Sequence, residues 1–232
     1  MKRAFNFEGP VFTLLSKFAD LIWLNLLYII CCLPVITIGA ATTAMYYVTL
    51  KMAKDEEGYI SKAFFKSFKD NFKQATGIWL IYAVILFVLV SDIVITGGGS
   101  LTVMFNSEGL SNVLLVIIGV VGIIIIMTLT YVFPILAQFD NSIKNTIRNS
   151  FLISIRHLPF TIAMVVISIV PWVIIYMSPA AMLLIFIAFS LVAYINSKFF
   201  VKIFKNYMPK EDTEDIDGEV VETVDAEATE SL

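Results

Sequence analysis

Charge is what this sequence has least of. Asp, Glu, Lys and Arg make up only 15% of its 232 residues, while 59% are hydrophobic; a soluble domain carries about a quarter charged residues. A soluble fold of this length cannot bury that much apolar surface. The apolar residues are also blocked into runs, such as 78–90, 113–127 and 162–175, in which nearly every helical face is hydrophobic. Helices solvated by lipid have that pattern. There is one histidine, His157, and there are two cysteines, Cys31 and Cys32. Adjacent cysteines are badly placed to bridge each other and lack metal-ligand spacing, so a disulfide framework and a zinc site are excluded and the pair reads as small buried apolar residues. No phosphate loop, G-x-S-x-G or H-E-x-x-H is present. The expectation is therefore no catalytic residues, no metal, no cofactor, no enzyme and no nucleic-acid partner.

The few charges are strongly segregated. Ten of the 19 acidic residues lie beyond Lys210, from Glu211 to Glu230, leaving a body with 16 basic and 9 acidic residues, a net +7. The stretch 211–232 alternates acids with small residues and Val, has no Lys or Arg, and is expected to be a disordered tail. Domain organisation is thus read as a membrane domain over 1–210 and a tail over 211–232.

Basic residues occur only in four clusters, at 2–17, 51–73, 144–156 and 198–210. Lys and Arg next to membrane spans are retained in the cytoplasm, so the simplest topology puts all four clusters inside, with an even number of crossings between them. Segments at 160–177 and 180–195 form one hairpin, joined at Ser178-Pro179. Segments at 75–95 and 110–137 form a second, joined by a flexible outer loop with Gly97-Gly98-Gly99-Ser100 and Glu108. The stretch 18–50 is short for two spans, but Pro34 and Gly39 break it into 18–33 and 36–50. The fold class is an all-α polytopic membrane bundle, six spans favoured, in a bacterial-type cytoplasmic membrane with both termini cytoplasmic. Five spans, or a re-entrant first hairpin, are the alternatives. Lys2 and Arg3 ahead of an apolar run, and Gly39-Ala40-Ala41 after it, superficially resemble a signal peptide. However, Glu8 and Lys17 intervene and the run is long, so a retained anchor is expected.

Two cytoplasmic segments are amphipathic. In 55–73, Ile60, Phe64, Phe68 and Phe72 recur every four residues with Phe65 alongside, and Lys62, Lys66, Lys69 and Lys73 take a neighbouring face. That is the pattern of a helix lying in the membrane interface, anchoring to anionic headgroups or presenting a docking surface. In 139–158, Phe139, Ile143, Ile147 and Phe151 repeat likewise, with Lys144, Arg148 and Arg156 on other faces. His157, just before Leu158-Pro159, reads as interfacial; Arg156 and His157 join the docking candidates. Ionisable or polar groups at membrane depth call for a functional hypothesis, which singles out Asp20, Asn25 and Asp92. Asp20 is three residues from Lys17 and Asp92 is near the outer end of its span, so both read as interfacial. Asn25, with Thr37, Thr42 and Thr43, reads as helix-packing glue beside Gly39, Ala40, Ala41 and Ala44.

Several stretches together resemble the YesL family of bacterial membrane proteins: Phe7-Glu8-Gly9-Pro10; Ala19-Asp20-Leu21 with Asn25-Leu26-Leu27; Leu33-Pro34-Val35-Ile36-Thr37-Ile38-Gly39-Ala40; Tyr46-Tyr47-Val48-Thr49-Leu50-Lys51; Glu56-Glu57-Gly58-Tyr59; Phe72-Lys73-Gln74-Ala75-Thr76; and Ile155-Arg156-His157-Leu158-Pro159. The resemblance covers about residues 7–160 and carries no established catalytic or ligand residues. It implies a cytoplasmic-membrane protein, and such proteins are often encoded beside ATP-driven sugar importers and glycan-degrading enzymes. The expected partners are therefore the bilayer and the permease or ATPase subunits of a sugar importer, with the chain as a non-enzymatic accessory or assembly subunit. A permease-like translocation unit is the alternative, for which 155–159 faintly resembles the loop that importers offer to their ATPases. A signalling or structural role through the cytoplasmic segments is the third reading.

Overall fold

The computed structural model describes residues 10–56, 58–97 and 108–208, and the described residues are all helical, with no strand among them. Helix α1, Pro10–Cys32, begins on a proline, whose missing N–H costs nothing at the first helical position. It stops before Pro34, which is extended (φ −76°, ψ 115°) and disfavours helical backbone at the residue before it. One 3₁₀ turn follows over Val35–Thr37. The Thr37 hydroxyl is shared between the carbonyls of Cys31 and Pro34, capping oxygens that the helix end leaves open. Helix α2 is Ile38–Ala53. The expected break in 18–50 is therefore present, between two antiparallel helices.

Helix α2 ends in a Schellman motif. The Glu56 N–H donates to Lys51 O (3.0 Å) and the Asp55 N–H to Met52 O (3.3 Å), with Asp55 in the left-handed conformation at φ 56° that such a cap requires. Helix α3, Ile60–Gly97, then runs unbroken for 38 residues, about 57 Å at 1.5 Å per residue and nearly twice a bilayer's hydrocarbon thickness. The sequence expectation of a separate surface helix ending at Lys73 is corrected here. Nothing between Lys73 and Trp79 breaks helical backbone, so the lysine-bearing segment is the first half of the long helix. Helix α2 packs most extensively against α3. Gly39 makes that possible: a Cβ there would meet the Ala75 carbonyl oxygen and stand 2.7 Å from Trp79 Cβ.

Helix α4, Glu108–Gln138, returns alongside α3 with Pro134 inside it. Helix α5, Ile143–Arg156, is capped by Ser142, whose hydroxyl accepts from the Asn145 N–H (3.4 Å), the usual N-cap contact. Phe139 consequently lies outside the helix that the fourfold spacing places it in. Helix α6 is Leu158–Met177, with Pro171 inside. A second correction follows: the expected helix over 180–195 is a 3₁₀ stretch, Pro179–Phe186, followed by α7, Ala188–Phe204.

Two apolar clusters hold these elements together. Leu24, Ala44, Val48, Phe64 and Ala193 join α1, α2, α3 and α7; Ala40, Ala75, Ile78, Val132 and Phe133 join α2, α3 and α4. Outside them, Ile22, Val84, Phe87, Ile123, Val166 and Trp172 stand exposed, and apolar surface on this scale marks a lipid-facing protein. Among the described residues four helices are long and apolar enough to cross a membrane, within Leu15–Cys32, Ile60–Ser91, Val116–Gln138 and Leu158–Met177.

The chain divides into two compact units, Met1–Val201 and Lys202–Leu232. In the second, the Tyr207 and Met208 N–H groups bond back to Phe204 O (2.8 and 3.0 Å). The stretch 211–232, expected to be a disordered tail, and residues 98–107, expected in the outer loop, lie outside the described residues.

Candidate functional site

Three places collect the polar and amphipathic residues. The first is the start of α3, where i,i+4 spacing stacks aromatic rings along one helical strip. Phe64 and Phe68 are 6.2 Å apart at 20°, Phe68 and Phe72 5.6 Å apart at 56°. The strip faces inward. Phe64 is fully buried in the α1–α2–α3 cluster, with Ile60 and Phe68 packed beside it, and Phe72 packs on the second cluster. Phe64 is thus core, a correction to its reading as a docking residue: α1 and α2 cover the aromatic face that a solitary surface helix would offer to lipid. Phe65 stays exposed, as do Lys62, Lys66 and Lys69.

Beside this strip a cleft of about 960 Å³ opens between α3, Tyr47 of α2 and the end of α4. Lys66, Lys69 and Lys73 line it from α3, Gln138 and Asp140 from the α4 end. The lysines of α1 and of the end of α2 are paired, Lys17 with Asp55 at 2.7 Å and Lys51 and Lys54 with Glu56 at 3.9 Å, and Lys54 also donates to Gln138 Oε1 (3.2 Å). The Lys17 ammonium holds the Asp55 carboxyl below the usual carboxylate range, chiefly through their hydrogen bond.

The second place is α5. Thr146, Ser150 and Ser154, four residues apart, are fully buried. Their hydroxyls bond back to Ser142 O (3.0 Å), Thr146 O (2.7 Å) and Phe151 O (2.8 Å) of their own turn, so the strip is small and internally satisfied, letting a neighbour approach closely. The Ser154 carbonyl accepts from the Thr161 hydroxyl (2.8 Å). Thr161 Oγ1 is therefore the acceptor for the buried Tyr131 hydroxyl (2.8 Å), tying the α5–α6 corner to α4. His157 is the residue between the two helices, its carbonyl accepting from the Thr161 N–H (3.0 Å), its ring tilted toward Phe160. The opposite side of α5 presents Phe151, Leu152 and Ile155, with Leu158 just beyond, all exposed, between Arg148 and Arg156. The inward side of α5 combines these hydroxyls with Ile143, Ile147 and Ile153, and the exposed side combines its apolar residues with Lys144, Arg148 and Arg156. Of the strip at 139, 143, 147 and 151, Ile143 and Ile147 pack on the α2–α3–α4 cluster, Phe139 precedes the helix and Phe151 is exposed; the buried hydroxyls are legible only as the Thr/Ser/Ser repeat at i, i+4, i+8.

The third place is Asn25, fully buried. Its Nδ2 donates to Ile185 O (3.0 Å) and its Oδ1 accepts from the Ser190 N–H (3.1 Å), while the Ser190 hydroxyl donates to Leu21 O (2.7 Å). Non-helical backbone at membrane depth survives only where protein groups satisfy it, and Asn25 does so for the 3₁₀ stretch before α7. Asp20 is half-buried on α1, and the Asp92 side chain lies outside the described residues. Among the described residues no His, Cys, Asp and Glu group is disposed to hold a metal ion.

Residues 21–93 match the family described as "Protein of unknown function, DUF624". Over 153 residues the chain is 25% identical to "Uncharacterized protein YteU" of Bacillus subtilis (strain 168), a similarity covering 66% of this chain and 64% of that protein. The match thus spans less than two thirds of that relative's length. No solved structure matches. The stretch resembling the DUF624 family is the one that carries Asn25, Gly39 and the α3 lysines, and these findings are consistent with a DUF624-like membrane protein built around the α1–α2 hairpin and the helix packed on it.

Proposed function

We propose that the chain is a non-enzymatic, six-span protein of the YesL type in a bacterial cytoplasmic membrane, with both termini inside, that acts as an accessory or assembly subunit for ATP-driven carbohydrate uptake. The six spans are three hairpins: α1 with α2, α3 with α4, and α6 with the 3₁₀ stretch and α7. The observation that carries the docking role is the outward side of α5. Leu152, Ile155 and Leu158 are 51%, 46% and 42% exposed beside two arginines, a surface suited to a hydrophobic partner with an acidic rim. The sugar importer as partner rests on the family resemblance alone.

Affinity purification in mild detergent tests this reading. The wild-type chain is expected to bring down permease or ATPase subunits, and a Leu152→Ser, Ile155→Ser double variant to lose them while keeping its own yield. Repeated recovery of the chain alone overturns it.

A permease-like unit is the second reading, favoured by the broken helix that Asn25 stabilises, a device that transporters use at substrate sites. Against it, the recess beside that region, lined by Thr42, Tyr46, Ser168 and Trp172, is only about 160 Å³, and the neighbouring groove of about 310 Å³ is lined by aliphatic residues of α6, the 3₁₀ stretch and α7. Oligosaccharide flux in proteoliposomes decides between the two.

A further inference from the structure

The cleft beside α3 is several times larger than the recesses near α6 and α7, and its charges are arranged unlike those around it. Lys66, Lys69 and Lys73 fall at i, i+3 and i+7, one strip of α3, where like charges repel and weaken a helix. None of the three is within ion-pair distance of an acid among the described residues, although Asp70 and Asp140 line the same cleft. Among the described residues, Asp55 is taken by Lys17 and Glu56 by Lys51 and Lys54. Three cations thus line one concavity in which no described acid, Asp70 and Asp140 included, stands at ion-pair distance from them. Gln74 and Gln138 add amide groups, and Phe68 and Phe72 add aromatic walls.

We infer that this cleft is a binding site for a phosphate ester whose organic part carries hydrogen-bonding groups. The lysines supply point charges for the phosphate; Asp70, Asp140 and the two glutamines are acceptors and donors for hydroxyl or ammonium groups on the organic part. Such chemistry is found in a phospholipid headgroup and in a free sugar or glycerol phosphate. The inference rests on the cleft and is independent of the docking role given to α5.

The test uses the full chain, purified and placed in nanodiscs. One arm compares phosphatidylglycerol with phosphatidylcholine, reading lipid retained by the protein in native mass spectrometry. The other measures binding of radiolabelled glycerol 3-phosphate and glucose 6-phosphate by equilibrium dialysis in phosphatidylcholine discs, with glucose as control. Preference for the phosphatidylglycerol, or saturable binding of either soluble phosphate, is expected and identifies the source. The triple variant Lys66→Gln, Lys69→Gln, Lys73→Gln is expected to weaken binding at least tenfold, each single substitution to weaken it severalfold, and raising the salt concentration to weaken it further. Lys62→Gln, on the same helix but outside the cleft, is expected to leave binding unchanged. If neither arm shows binding, or if Lys62→Gln weakens it as much as Lys69→Gln does, the site does not exist as proposed and only diffuse surface charge remains.

Discussion

Asn25 of α1 accepts a hydrogen bond from the Ser190 backbone N–H at 3.1 Å while the Ser190 hydroxyl donates back to the carbonyl of Leu21 at 2.7 Å. The two residues are 165 positions apart and both fully buried. The exchange pins the first turn of α7 to α1 and explains how Pro179–Phe186 leaves α-helical geometry in so apolar a setting. Removing the Asn25 side chain strands the Ser190 N–H and the Ile185 carbonyl.

Asn25→Leu, of similar volume but unable to hydrogen-bond, is therefore expected to lower the thermal midpoint in detergent, by a loss of about 1–3 kcal/mol for stranded buried polar groups. An unchanged midpoint for Asn25→Leu shows that the 3₁₀ stretch does not depend on this contact.

Gly39→Ala is expected to cost about 1–3 kcal/mol, the usual penalty for overpacking, because the added methyl meets the Ala75 carbonyl and Trp79 Cβ, neither of which is the end of a flexible side chain. Gly119→Ala and Gly122→Ala meet nothing within 4 Å and are expected to be neutral or slightly stabilising through helix propensity. Unfolding of the three variants in mixed micelles gives the comparison; equal midpoints for all three refute the close approach of α2 and α3.

Asp55 links backbone and charge. Its carboxyl is depressed by the Lys17 bond, so the stabilisation is fully present above the unfolded carboxylate value of about 3.9 and is lost as pH falls through the lower folded value. The pair is solvent-exposed and its contribution small. Asp55→Asn tolerates the same left-handed backbone and removes only the charge. The midpoint difference between wild type and Asp55→Asn is expected to shrink as pH falls from 7 through the depressed folded value of the Asp55 carboxyl; a difference that does not change with pH assigns Asp55 a purely conformational role.

Topology is checked by single cysteines at Lys62, Arg148, Lys205 and Ser107, the last in the stretch outside the described residues, each with Cys31 and Cys32 replaced. An impermeant thiol reagent added to intact cells is expected to label only the Ser107 site. Labelling at Lys62 or Arg148 contradicts the orientation drawn from the basic clusters.

By itself the sequence determined that the protein is helical and lipid-facing, and where its first hairpin breaks. Those features are local or compositional: the length of an apolar run, a proline that ends α1, a glycine where two backbones meet. What the tertiary structure decided is which side of each amphipathic segment faces inward. The aromatic strip from Phe64 to Phe72 carries a clear fourfold period, yet a period says only that the rings share a face. Helices α1 and α2, drawn from elsewhere in the chain, turned that face into core and left the lysines around a cleft. In α5 the fourfold strip places Ile143 and Ile147, which pack on the α2–α3–α4 cluster, but it gives no sign that Thr146, Ser150 and Ser154, whose hydroxyls are satisfied within their own helix, are buried while Leu152 and Ile155 are exposed. Asn25 shows the same limit: its polarity was visible at once, but its partners, Ile185 and Ser190, are brought to it only by the fold.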